Sequence, residues 1–294
     1  MTISINFSNQ VRDWIAGNLE RGVSAYDVAS ELVAGKVDPQ LAVAMTTAVH
    51  RALTVGAPMP DGSLTIDPSA LEYLPMRSAV PDESRIELDG RTVFVAMRCT
   101  LPRIVVFSNF LSDDECTGVI AQAAPRLKPS LVVDPVTGKD VVAEHRSSDG
   151  MFFLAQETAL MARIEKRIAS LTGHPLECGE GMQVLHYTTG AESTPHFDFL
   201  MPSNQSNVDS LARSGQRVAT FICYLNDVEQ GGATRFPTIG LSVTPRRGDA
   251  IYFEYSNGIG QCDPASLHAG APVIAGEKWV ATKWIRERKF VSRS

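Results

Sequence analysis

Pro195-His196-Phe197-Asp198, set among short strand-like segments running from Met182 to Arg286, is the stretch on which the reading of the whole chain turns. Side chains alternate faces along an extended segment, so His196 and Asp198 project to the same side. One imidazole and one carboxylate leave a divalent metal short of ligands, and His268 is the candidate for a second imidazole. Two His and one carboxylate suit a non-haem Fe(II) centre with open positions for a co-substrate and oxygen. His145, His174 and His186 compete poorly, because each lacks a carboxylate at strand or helix ligand spacing.

Outward from that stretch the pattern is β. Met182 to Tyr187, Arg217 to Leu225, Leu241 to Val243, Ala250 to Tyr255 and Lys278 to Arg286 read as strands, with turns at Gly231-Gly232 and Pro245 to Gly248. Such a series predicts a sandwich or jelly roll able to hold a small ligand between its sheets. Upstream, Asp89-Gly90 between Arg85 to Leu88 and Thr92 to Met97 is a strong hairpin signal. Ser112 and Glu115 form a capping box ahead of an apolar helical face, Cys116, Val119, Ile120, Ala123 and Leu127. A second such helix carries Leu160, Ile164, Ile168 and Leu171 and stops at Gly173. Between them, Lys128 to Ser148 reads as a hairpin or loop, either a lid with polar substrate contacts or a solvated connection.

Residues 7–55 read as helical, with Ser24 and Asp38-Pro39 opening the second and third helices. The prolines of 57–84 mark a linker. The expected organisation is a helical N-terminal region at 1–56, a linker at 57–84 and a mainly β domain with flanking helices at 85–294.

Among 294 residues, 44% are hydrophobic and 20% charged, the balance of an ordinary globular protein. A net charge of -6 without a basic stripe argues against nucleic acid as a partner. Five scattered cysteines without a CxxC pair suggest neither a disulfide framework nor a zinc ribbon, and fit a reducing cytoplasm. No segment approaches the roughly 18 apolar residues of a membrane span. A homodimer is compatible with the small helical region, which would be marginal alone.

Lys278 opens the last long strand. Val280, Thr282 and Trp284 share its face, so a lysine there would lie beside apolar side chains and need an anion to offset desolvation. A dicarboxylate co-substrate would supply one through charge-assisted hydrogen bonds, with Tyr187 and Thr220 adding hydroxyls.

These residues bring the sequence to a recognisable pattern. Gln183 to Tyr187, Pro195 to Asp198, Arg217 to Thr220, Tyr224 to Val228, Gly231 to Pro237, Ser266-Leu267-His268 and Gly276-Glu277-Lys278-Trp279 stand in the order of motifs in the prolyl 4-hydroxylase family of Fe(II)/2-oxoglutarate dioxygenases. The resemblance reaches back to Asn109 to Ser112 and Arg146 to Ser148, and leaves the N-terminal helices outside it. It implies a double-stranded β-helix (jelly roll) in which His196, Asp198 and His268 hold Fe(II). Lys278, with Tyr187 and Thr220, would bind the far carboxylate of 2-oxoglutarate. The implied reaction uses O2, with ascorbate as an accompanying reductant, to hydroxylate an unactivated C–H bond. By the same resemblance Arg146, Ser148 and Glu180 fall along a peptide groove. Where the family commonly places a tyrosine three residues before the first ligand His, this chain has Ser193. The substrate therefore stands open between a prolyl residue of a peptide or protein and a free amino acid or small natural product, with an inactive binding module as a third reading.

Overall fold

Each of the three N-terminal helices begins behind a polar capping residue. Ser8 accepts from the Val11 amide ahead of α1 (Asn9–Glu20), Ser24 from the Asp27 amide ahead of α2 (Ala25–Ala34), and Asp38 from two amides ahead of α3 (Pro39–Val55). The computed structural model describes residues 2–68, 71–129, 131–133, 140–142 and 148–292, with 131–133 and 140–142 described by backbone alone. Contacts divide the chain into two units, Met1–Arg77 with Asn257–Cys262, and Ser78–Ser256 with Asp263–Ser294.

In the first unit, β1 (Ile3–Phe7) precedes the helices and pairs antiparallel with β2 (Gly62–Ile66), Ile3 opposite Ile66 and Phe7 opposite Gly62. Phe7, Ile15, Val28, Met45 and Val49 fill its core. Ile259 packs with Ala29, Ala42, Val43 and Leu74 in a second cluster of that unit. The helical pattern was legible from spacing; β1 was not, since its partner lies over fifty residues away in a proline-rich stretch.

In the second unit, β3 (Arg85–Leu88) and β4 (Arg91–Cys99) meet at Asp89-Gly90, whose φ values of 52° and 71° are those of a hairpin turn twisted with its strands. β5 (Ile104–Ser108) and α4 (Asp113–Ala123) follow, the helix opened by the Ser112–Glu115 capping box. Next come β6 (Lys128–Pro129), β7 (Leu131–Val133), β8 (Asp140–Val142) and β9 (Ser148–Phe152). The backbones of β7 and β8 pair as a hairpin; residues 130, 134–139 and 143–147 of the expected lid, Arg146 included, lie outside the described residues. α5 (Ala159–Thr172) ends at Gly173 with φ 70°. Beyond it run β10 (Gln183–Tyr187), β11 (Ser193–His196), α6 (Gln205–Ser214), β12 (Arg217–Tyr224), β13 (Gln230–Gly231), β14 (Thr234–Phe236), β15 (Leu241–Val243), β16 (Ala250–Glu254), β17 (His268–Gly270), β18 (Val273–Ala275) and β19 (Lys278–Arg286). Between the metal-ligand segment and β12, α6 is capped by the Asn204 side chain.

Nine strands form the large sheet in the order β3-β4-β5-β16-β12-β19-β10-β9-β6, and β11-β17-β14-β15 form a smaller one. Strand alternation then builds two layers. On one face of the large sheet Phe107, Phe221, Tyr252 and Ala281 join Val119 of α4 and Ile164 and Ile168 of α5 in one hydrophobic core. On the other face Leu185, Ile222, Lys278, Val280 and Thr282 line a cavity whose opposite wall comes from the smaller sheet. This is the jelly roll that the strand series and the family resemblance imply.

Candidate active site

Strand pairing brings the metal-binding set together. His196 ends β11 and lies directly across from His268, which begins β17; Asp198 follows two residues after His196. Each offers one ligand atom, and these atoms lie within 4.8 Å of one another. Nε2 of His196 is 3.6 Å from Asp198 Oδ1, and Nε2 of His268 is 3.5 Å from Oδ2. The other nitrogens are committed to the backbone. His196 Nδ1 lies 2.8 Å from the Thr194 carbonyl and His268 Nδ1 3.1 Å from that of Ser266. A carbonyl only accepts, so Nδ1 carries the proton in both rings and Nε2 keeps its lone pair for the centre.

Asp198 is fixed from behind. The Thr220 hydroxyl donates to Asp198 Oδ2 at 2.6 Å and lies 2.9 Å from the Tyr255 hydroxyl. Burial alone would raise the Asp198 pKa; in the metal-free site the positive charge of the His268 and His196 rings when protonated, with Arg217 and the Thr220 hydrogen bond, outweighs it and holds the carboxyl down at about 2. Arg217 is in turn held by Glu180 through a bidentate pair of 2.7 and 2.9 Å, and its guanidinium lies 4.0 Å from the centre of the Trp284 ring. Arg286 shares Glu180 at 3.0 Å.

Three cations are buried on β19, and two of them face carboxylates: Lys283 pairs with Glu165 at 3.0 Å and Arg286 with Glu180. Lys278, 5% exposed, has no carboxylate partner among the described residues. It lines the same cavity as the triad, its ammonium 5.5 Å from the centre of the Tyr187 ring. Burial pushes its pKa down to about 8. Ser193, Gly270 and Thr234 form a cross-strand row on the facing wall. A Cβ on Gly270 would sit 3.9 Å from Lys278 Nζ and 3.4 Å from Ser193 Cβ, so glycine keeps room for an anion beside the ammonium. Thr234 accepts a 2.8 Å bond from the Tyr224 hydroxyl, which leaves its own O–H to donate into the cavity.

The sequence-derived candidates fall as follows. His196, Asp198, His268, Lys278, Tyr187 and Ser193 line one cavity. Thr220, expected beside Lys278, has its hydroxyl on Asp198 and Tyr255. Ser148 is buried on β9, across from Tyr187. Glu180 sits between Arg217 and Arg286. Sequence reasoning passed over Thr234 and Tyr255, which no spacing rule singles out because only strand register brings them to the site.

The donor set, two neutral imidazoles and one carboxylate, fits Fe(II). A profile of the 2OG-Fe(II) oxygenase superfamily matches residues 182–286. The chain is 39% identical over 208 residues to probable prolyl 4-hydroxylase 10 of Arabidopsis thaliana, covering 64% of this chain and 70% of that one. Prolyl 4-hydroxylase 1 of the same plant is 43% identical over 203 residues, with 64% and 70% covered. A viral collagen prolyl hydroxylase from Paramecium Bursaria Chlorella virus-1, in a 2-oxoglutarate complex, aligns at 27% identity and a TM-score of 0.49, covering 62% of this chain and 95% of that one. Fold and site thus define a metal-dependent oxygenase. The chain belongs to the 2OG-Fe(II) oxygenase superfamily, as a relative of the prolyl 4-hydroxylases, and is an Fe(II)- and 2-oxoglutarate-dependent dioxygenase. No helix among the described residues is long and apolar enough to cross a membrane.

Proposed function

We propose that this enzyme hydroxylates a prolyl residue of a peptide or protein. In this reading His196, Asp198 and His268 hold Fe(II), and Lys278, Tyr187 and Thr234 hold the far carboxylate of 2-oxoglutarate. The observation that carries it is the buried ammonium of Lys278, without a carboxylate partner among the described residues, in the cavity lined by the triad. The prolyl assignment is supported by relatives named prolyl 4-hydroxylases at 39% and 43% identity.

Bound Fe(II), with 2-oxoglutarate and O2, supplies the oxidising chemistry that hydroxylates an unactivated carbon. The chain's own residues prepare that site. The Thr194 and Ser266 carbonyls fix the imidazole tautomers, and Thr220 orients Asp198. Lys278 offsets the co-substrate's charge inside a desolvated cavity, where a charge-assisted bond is stronger than in water. Ser148 and Arg146 are assigned to substrate by the family resemblance, while Ser193 stands across from Gly270, near Lys278. Glu180 holds Arg217 and Arg286 in place behind Trp284. Ascorbate serves as reductant, and five scattered cysteines without a CxxC pair fit a reducing, cytoplasmic setting.

Incubation with Fe(II), 2-oxoglutarate, ascorbate and a proline-rich peptide, beside a panel of free amino acids, tests the reading. The expected result is one added oxygen atom on the peptide by mass spectrometry, with release of succinate. Oxygen gain confined to the free amino acids would remove the peptidyl reading and leave small-molecule hydroxylation by the same centre.

A further inference from the structure

His268 reaches the metal site behind a segment whose two flanks both serve that site. On one flank Tyr255 follows β16, and its hydroxyl lies 2.9 Å from that of Thr220, which holds Asp198. On the other, Asp263 opens the turn Pro264–Ser266. Its Oδ1 accepts from the Ala265 amide at 2.8 Å, and its carbonyl accepts from the Ser266 hydroxyl at 2.7 Å. The Ser266 carbonyl in turn fixes the His268 ring through Nδ1. The Asp263 amide donates to the Tyr255 carbonyl at 2.8 Å, which ties the two flanks together.

Between the flanks, Asn257–Cys262 belongs by its contacts to the N-terminal unit. Asn257 is buried, and its Oδ1 accepts from the Ile259 and Gln261 amides at 3.3 and 2.9 Å, which closes the loop on itself. Two side-chain amides then take up both backbone groups of one residue. The Leu74 N–H donates to Gln261 Oε1 at 3.1 Å, and the Leu74 carbonyl accepts from Asn257 Nδ2 at 2.9 Å. Gln261 Nε2 adds a 2.6 Å bond to the Glu72 carbonyl, and Ile259 is buried among Ala29, Ala42, Val43 and Leu74. A loop has no strand ladder to satisfy its backbone. This one is held instead from residues of the N-terminal unit, outside the span that the oxygenase profile matches.

We infer that Asn257 and Gln261 are positioning residues for the iron site: they hold the loop whose flanks present Tyr255 and His268, so that iron affinity depends on the N-terminal unit. Strand pairing sets the backbone of His268 across from His196, but the direction of its ring rests on the Ser266 carbonyl, which lies in a turn. The groups bonded behind a metal ligand set its orientation and its affinity for the ion. Releasing the loop frees Asp263, and with it the Ser266 carbonyl that aims Nε2 of His268. On the other flank it loosens Tyr255 behind Thr220 and Asp198. The inference rests on the iron triad and not on which substrate is oxidised. A loop that served stability alone would be anchored by the same bonds, but its release would leave iron affinity unchanged.

The test joins anaerobic Fe(II) calorimetry with amide hydrogen exchange on the full-length protein. Coupling is reciprocal: if loosening the anchor weakens iron binding, iron must tighten the anchor by the same factor. In wild type, saturating Fe(II) is expected to slow exchange of the Leu74 and Gln261 amides, read by mass spectrometry, by about 3- to 10-fold, below the 10- to 100-fold effect of groups bonded directly to metal ligands. Gln261→Met, which keeps the length of the side chain and deletes its hydrogen bonds, should raise the Fe(II) Kd by that factor. The 2-oxoglutarate KM at saturating Fe(II) should stay unchanged. Ile259→Ala should act in the same way from the apolar side of the anchor. Should both variants fail to fold by circular dichroism, the exchange experiment on wild type decides. Exchange unaltered by Fe(II) in wild type, an unchanged Kd in folded Gln261→Met, or a 2-oxoglutarate KM that rises in step with the Fe(II) Kd would overturn the inference and leave the triad standing. Failure of wild type to bind Fe(II) would overturn both.

Discussion

Lys278 is the residue at which burial and charge conflict most sharply. Its neighbours on β19 resolve the same conflict with carboxylates, Glu165 for Lys283 and Glu180 for Arg286. Lys278→Ala is therefore expected to raise the 2-oxoglutarate KM about 10- to 150-fold, the range of a hydrogen bond to a charged group. An unchanged KM in steady-state kinetics would remove Lys278 from the co-substrate site. The pH dependence follows from its pKa of about 8 in the free enzyme. Below that value the ammonium is charged and attracts the carboxylate. As pH rises through about 8 it loses its proton, so 2-oxoglutarate affinity measured by calorimetry should fall, and the step should be missing in Lys278→Ala. Alternation along a strand was enough to place Lys278 among apolar neighbours from sequence. It named Thr220 and passed over Thr234, because both lie on strands and only the folded register shows Thr220 bonded to Asp198 and Thr234 across from Gly270.

At the scale of elements, Glu115 shows how one residue serves two structures. Its carboxylate accepts from the Ser112 amide at 3.0 Å as half of the capping box, and from Arg167 of α5 at 2.9 Å. The cap was legible in the sequence, since Ser112 and Glu115 stand three residues apart ahead of an apolar run. The pair to Arg167, fifty-two residues on, has no local signature. Burial raises the Glu115 pKa, and Arg167, the Ser112 amide and Arg163 lower it more, to about 2. A carboxyl depressed in the folded state contributes stability that is full above its usual value of 4.5 and is lost as pH falls toward about 2. Urea unfolding of wild type should show that loss. Glu115→Ala, which leaves the buried Arg167 only Asp89 at 3.3 Å and the Phe110 carbonyl, should unfold about 1.5–3 kcal/mol more easily at neutral pH and lose its share of the acid step. A change under about 1 kcal/mol would class the pair with exposed ones.

The molecule as a whole divides legibility by distance along the chain. The hairpin at Asp89-Gly90, the amphipathic α4 and α5 and the strands β10, β12, β15, β16 and β19 are local patterns, and each was visible in the residues themselves. The β1–β2 pairing and the inclusion of Asn257–Cys262 in the N-terminal unit depend on contacts far apart in sequence. Asn257 and Gln261 bond to the backbone at Leu74, an arrangement with no signature in either segment. The iron site lies between these cases. Pro195 to Asp198 announces half of it, and the cross-strand pairing of His196 with His268 completes it. The most direct test of the central claim is anaerobic calorimetry of Fe(II) binding, with circular dichroism as a check on the fold, for wild type and His268→Ala. One Fe(II) per chain in wild type, and no comparable binding in a folded His268→Ala, is the predicted result. Undiminished Fe(II) affinity in that variant would contradict it.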